Sequence, residues 1–185
     1  MMILILGWAG TIIYLLNHGY ISLSTQWRPS IYYSGNLIAA VALVTTSLQH
    51  NSQQAVIING FWALLSLALL CKLPVEKLPF NNRLFYLLLL CFVALIGYQS
   101  FYNTQQIMII LGWSSAFVFS GSYLLFSAGK MKQVHYLAFN AYAAVALLPQ
   151  LWVDQNWPVF GLEVVWAIIS LYGFVRRFDE VHLID

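Results

Sequence analysis

Charge is what this chain has least of. Eight Lys and Arg and six Asp and Glu make up 8% of its 185 residues, against 61% hydrophobic. That balance excludes an ordinary soluble domain, and a net charge of +2 gives no surface for nucleic acid. Cysteine is scarce too. Cys71 and Cys91 fall at the end of one apolar stretch and within the next, where reduced packing thiols are expected and a structural disulfide is not. There is no nucleophile–base constellation, no glycine-rich phosphate loop and no pair of catalytic carboxylates, so no enzyme is expected. His50, His135 and His182 are too dispersed for a metal site, and no cofactor is expected. The apolar N-terminus lacks a basic n-region and a small-residue cleavage site, and reads as part of the mature fold rather than as a signal peptide.

What is present is apolar length. A helix needs about 20 apolar residues to cross the hydrocarbon, and the chain divides into spans at roughly 3–22, 30–48, 54–71, 84–101, 106–127, 134–151 and 157–175. Pro29 and Pro158 sit at helix starts, Pro74 and Pro79 in the third loop and Pro149 near the end of the sixth span. Cut this way, Arg28, Lys72, Lys77, Arg83, Lys130, Lys132, Arg176 and Arg177 all fall in the first, third and fifth loops and the tail. The other loops and the N-terminus carry none. The positive-inside rule then sets the N-terminus outside and the C-terminus inside. Trp27 suits the inner interface; Trp152 and Trp157 suit the outer one. No Lys lies in the seventh span, which argues against a retinal Schiff base.

The chain also repeats itself. Gly7-Trp8 recurs as Gly112-Trp113. Tyr32, Asn36 and the run Ala39–Leu43 recur as Tyr136, Asn140 and Ala143–Leu147. Asn59, Trp62 and Ser66 recur as Glu163, Trp166 and Ser170. Each unit is three helices, and residues 84–101 match neither. Three spans reverse direction and a fourth restores it, so the units are expected to lie parallel about an axis along the membrane normal. The expected fold is an all-α membrane protein of seven transmembrane helices in a 3+1+3 arrangement. Its parts are a first repeat over 1–73, a linker with the fourth helix over 74–104, a second repeat over 105–176 and a mobile cytoplasmic tail over 177–185.

This architecture resembles the SWEET sugar transporters, the half-size SemiSWEETs, the PQ-loop proteins and the PnuC vitamin transporters, across nearly the whole chain but mainly in topology. In motif each unit is more similar to small bacterial inner-membrane proteins with a Gly-Trp or Gly-Ile start, a mid-span Asn and a closing Trp. The resemblance implies a multi-pass protein of a bacterial cytoplasmic membrane. SWEET-type carriers place an Asn on the third helix of each unit beside the substrate. Asn59 holds that position here, and Glu163 replaces it in the second unit. The Pro that bends the first helix of each SWEET unit has no counterpart in spans one and five, and the only Pro-Gln is Pro149-Gln150.

Glu163 is the sharpest single signal, a charged residue well inside a span, about six residues from its outer end and so roughly 9–10 Å deep. An acid at a helix centre costs about 2.5–3.5 kcal/mol on insertion scales, and such residues mark pathways and proton relays. Trp166 and Ser170 share its helical stripe; Asn59, Trp62 and Ser66 form the matching stripe. Facing each other, the stripes would make a pocket of two indoles and an amide–carboxyl pair, suited to a small polar solute, flat or cationic. The bland reading keeps Glu163 as protonated packing glue and both tryptophans as core filling. Tyr32, Asn36, Tyr136 and Asn140 form a second layer toward the cytoplasm, either an inner gate or cavity wall, or ordinary interhelical bonding. Gly7 and Gly10 are read as close-packing positions. Asn17 and His18 fall near the inner end of span one, where His18 reads as an interfacial histidine, with a proton-relay role as the alternative.

Two functions follow. One is a uniporter or proton-coupled carrier that binds its solute between the repeats, with Glu163 as the proton-coupling residue. The other is a non-transport membrane subunit or assembly factor with a sealed polar core. The expected partners are the small polar solute and the lipid bilayer. One copy holds both units, so a monomer can suffice and a homo-oligomer stays open.

Overall fold

The structure, a computed structural model, describes residues 2–182. It is all-helical among those residues: α1 (Met2–Leu23), α2 (Pro29–Gln49), α3 (Gln53–Leu70), a 3-10 turn at Val75–Lys77, α4 (Asn82–Tyr102), α5 (Thr104–Ser127), α6 (Gln133–Val153) and α7 (Trp157–His182). Seven helices are long and apolar enough to cross a membrane, which fits a multi-pass integral membrane protein. The reason is backbone accounting. In lipid every N–H and C=O must be satisfied within the protein, and a helix does this within one segment.

The expected spans agree with these helices to within a few residues. Helix starts follow proline, with Pro29 in the first turn of α2 and Pro158 in that of α7. The ends of α2 and α6 are closed alike. Asn51 and Gln155 both take φ 53°, and the next residue bonds back across the last turn, Ser52 N to Ser47 O at 3.0 Å and Asn156 N to Leu151 O at 3.1 Å. The difference lies at the C-terminus. The tail expected to be mobile continues α7 as far as His182, and residues 183–185 lie outside the described part. Arg177 explains the extension: its guanidinium donates to the carbonyls of Ser22 and Ser24 at 3.3 and 3.0 Å, tying α7 to the end of α1.

Packing makes a closed ring. α1 lies on α2, α2 on α3, α3 on α5, α5 on α6, α6 on α7 and α7 on α1, while α4 rests on α5. α4 has the highest mean hydropathy, 2.0, and among its residues only Phe85 is buried. A helix this apolar and this exposed is one that faces lipid. The ring closes tightly where small residues allow it. A Cβ on Gly10 would stand 3.0 Å from the Ala42 Cβ and 3.2 Å from the Ala39 carbonyl oxygen, so α1 and α2 approach on glycine against alanine.

Gly10→Val is therefore expected to overpack this contact and cost about 1–3 kcal/mol. Gly60→Ala, at a helical glycine with open space around it, is expected to leave stability unchanged or raise it by up to about 1 kcal/mol. Unfolding of the two purified variants in detergent checks both.

Candidate functional site

The two stripes do meet. α3 and α7 bury all six of their residues, Asn59, Trp62, Ser66, Glu163, Trp166 and Ser170, and the indoles of Trp62 and Trp166 stand 5.4 Å apart at 72°. Two further rings box them in. Tyr14 of α1 lies edge-on to both indoles at 5.7 Å, and Phe119 of α5 lies edge-on to both at 6.3 Å. Perpendicular contacts of this kind suit the ring quadrupoles. Over this box sits a cavity lined by Tyr14, Ile58, Asn59, Trp62, Phe119, Leu162, Glu163 and Trp166. Its volume is about 10 Å³, room for about one water molecule.

Glu163 is 5% exposed, and its Oε2 is buried without a hydrogen-bond partner. Asn59 does not supply one. Its side-chain amide donates to the Ala55 carbonyl one turn back on its own helix, at 2.8 Å. The expected amide–carboxyl pair therefore shares a cavity without being bonded. Ser66 and Ser170 do not line that cavity. Each instead holds an aromatic ring in the layer below.

That layer is built twice. His18 stacks on Trp166 with centroids 3.7 Å apart and planes 8° from parallel, and its Nε2 lies 2.8 Å from Ser170 Oγ. Tyr123 stacks on Trp62 at 4.1 Å and 19°, and its hydroxyl lies 2.9 Å from Ser66 Oγ. His18 is wholly buried, which corrects its expected place at the interface. Sequence reasoning did not find Tyr14 and Phe119, and it weighed His18 without placing it against Trp166. The signal was available in the repeat, since Tyr14 and His18 stand where Phe119 and Tyr123 stand in the second unit, counting from the paired Gly-Trp.

Tyr32 and Tyr136 meet below, hydroxyl to hydroxyl at 3.2 Å. Asn140 accepts from the Trp166 indole N–H at 2.9 Å and donates to the Tyr136 carbonyl. Asn36, its counterpart, is turned elsewhere. It donates to the Tyr123 hydroxyl at 3.0 Å and accepts from Asn17 at 2.6 Å. Asn17 has Ser122 as its counterpart, too short to make such a bond, and Ser122 instead bonds the Phe119 carbonyl. So Asn17 draws Asn36 away, and the buried N–H of Trp62 is left without a partner. At the opposite end of the bundle Ser52 donates to Asp154 at 2.6 Å and Asn156 donates to Ser47 at 3.1 Å. These latch the α2–α3 turn to the α6–α7 turn. Side-chain bonds thus tie the bundle together at both ends.

Replacing Asn140 by Leu leaves the Trp166 N–H buried and unpaired, which is expected to cost about 1–2 kcal/mol. Chemical unfolding of that variant beside the wild type measures it.

No curated protein and no solved structure matches this chain. A family model matches residues 3–77 and 108–180. Those stretches take in well over half of the sequence, and the chain belongs to that family, an uncharacterised one.

Proposed function

We propose that this protein is a carrier for a small polar solute, bound between two parallel three-helix units, α1–α3 and α5–α7, with its N-terminus outside and its C-terminus inside. Three facts support the arrangement. The ring of packing partners is unchanged when α1, α2, α3 are exchanged for α5, α6, α7. The aromatic box and the stacked layer are each built from matching residues of both units. The family model's two stretches are close in length, and all of α4 lies in the gap between them.

One observation carries the carrier reading: an acid with a bare buried oxygen lines a cavity on the axis between the units. A buried acid without a partner is costly, and a purely structural core has no reason to keep one. The closed cavity is then the occluded member of a cycle. The Ser52–Asp154 and Asn156–Ser47 bonds form its outer latch and the Tyr32–Tyr136 contact its inner one. Opening one end at a time would admit a solute to Glu163 and Asn59, with the indoles as its floor. The small volume favours a second reading, a membrane subunit whose polar core never opens.

The two readings separate on access. In a Cys71→Ser, Cys91→Ser background, Leu162→Cys is expected to react with a small polar thiol reagent in membrane vesicles. Adding Asp154→Ala, which removes the Ser52 bond of the outer latch, is expected to speed labelling from outside severalfold. A sealed subunit leaves Leu162→Cys unreacted from both faces. Solute identity comes from a thermal-shift screen of sugars, nucleosides, vitamins and amines. A true solute at 100 times its Kd adds about 2.7 kcal/mol to the wild type and is expected to add far less to Glu163→Gln.

A further inference from the structure

α3 and α4 follow each other in the chain, yet each rests on α5 rather than on the other. The loop between them, with Pro74, Pro79 and the turn at Val75–Lys77, holds them apart. A groove of about 430 Å³ runs between them, floored by α5 from Phe117 to Leu124 and walled by Phe61 of α3, Leu84 of α4 and the loop residues Leu78 and Phe80. Ser120 is the one polar side chain among its lining residues. Leu78 and Leu84 are exposed, so the groove opens at the surface. Leu124 lies in the last turn of α5, which ends at Ser127, and Phe117 lies two turns deeper. At 1.5 Å per residue the groove therefore runs inward for about 10 Å.

Its mouth is at the helix ends, and there the chemistry changes. Asn81, Asn82 and Arg83 line a second pocket together with Lys130, which follows α5. The two recesses interleave along the chain, with Phe80 in the groove, Asn81 to Arg83 in the pocket and Leu84 in the groove again. Lys130 is built into this mouth. Its ammonium donates to the carbonyls of Leu78 and Phe80 at 2.9 and 3.1 Å, which uses two of its three N–H groups. Asn82 donates to the Lys130 carbonyl at 2.8 Å. Arg83 is exposed in the first turn of α4, at the positive end of the helix dipole, where an acid is the favourable neighbour. That turn holds no acid, and none lines the pocket.

We propose that this is the seat of one anionic phospholipid, with an acyl chain in the groove and its phosphate between Arg83 and Lys130. The two parts of the site answer the two parts of such a molecule, an apolar slot running into the membrane and two cations with no acid beside them at its mouth. Basic pockets between helices on the cytoplasmic side take anionic headgroups in this way, and the orientation proposed above puts the mouth in that leaflet. A neutral lipid gains the groove alone, and a soluble phosphate gains the cations alone. The bound chain fills the space between α3 and α4 and so fastens the linker helix to the first unit. The site lies outside the ring and does not depend on the reading of the cavity at Glu163.

The test is native mass spectrometry of the purified protein in detergent, with phosphatidylglycerol and phosphatidylcholine of identical chains offered in equal amounts. Each cation beside an anionic headgroup gives about a fivefold preference, so one phosphatidylglycerol is expected to be retained roughly 25-fold over phosphatidylcholine. Arg83→Gln is expected to lower that preference to about fivefold. Arg28→Gln, at the same end of the bundle but outside the pocket, is expected to leave it unchanged. Ser120→Phe fills the groove and removes a hydroxyl that has no partner; it is expected to cut the lipid retained severalfold, with Leu124→Trp in its place should it fail to fold. Glycerol phosphate, the anion without the chains, is expected not to displace the lipid. Equal retention of the two lipids, or a preference in Arg83→Gln within about twofold of the wild type, overturns the proposal. So do undiminished retention with the groove filled, displacement by glycerol phosphate, and a dimer that forms in place of the lipid-bound monomer.

Discussion

The fold depends on two indoles meeting in the middle of a membrane bundle. Lipid gives helices no hydrophobic reason to associate, so close packing and polar bonds must hold the ring together. Trp62 and Trp166 supply both. Each offers a face to a stacked ring and stands perpendicular to Tyr14 and Phe119, and Trp166 also spends its N–H on Asn140. Serines fix the stacked rings in turn. This arrangement joins α1 to α7 and α3 to α5, the two contacts that close the ring.

The same centre explains why the chemistry is asymmetric. The rings around Trp62 and around Trp166 are arranged alike, and small differences in sequence then separate their chemistry. Asn17 against Ser122 decides whether an asparagine reaches the indole or turns away. Tyr14 against Phe119, His18 against Tyr123 and Glu163 against Asn59 put the titratable groups on one side. Packing tolerates these exchanges because the shapes are similar; protonation does not.

Much of this was legible in advance, and for a physical reason. Apolar length and the placing of Lys and Arg respond to the bilayer alone, so the helices could be read from composition, and the repeat led to Asn59, Trp62, Glu163 and Trp166. Contacts were harder. The helices are apolar on most faces, so periodicity does not say which neighbour α1 chooses, and His18 read as interfacial. Ser66 and Ser170 lay on the right stripe but serve the rings rather than the cavity. The extension of α7 was hidden because polar residues end a hydropathy window without ending a helix. The latch formed by Ser47, Ser52, Asp154 and Asn156 lies in turns, where short polar residues look like ordinary caps.

The central claim is that the axis between the units opens alternately at its two ends. Spin labels on exposed positions measure this directly, one pair at Gln53 and Gln155 beside the outer latch and another at Arg28 and Lys132 at the opposite end. The account predicts two distance populations for each pair in lipid bilayers, with the outer distance long under the conditions that shorten the inner one. A single narrow distance for both pairs, the same from pH 5 to 8, would contradict it.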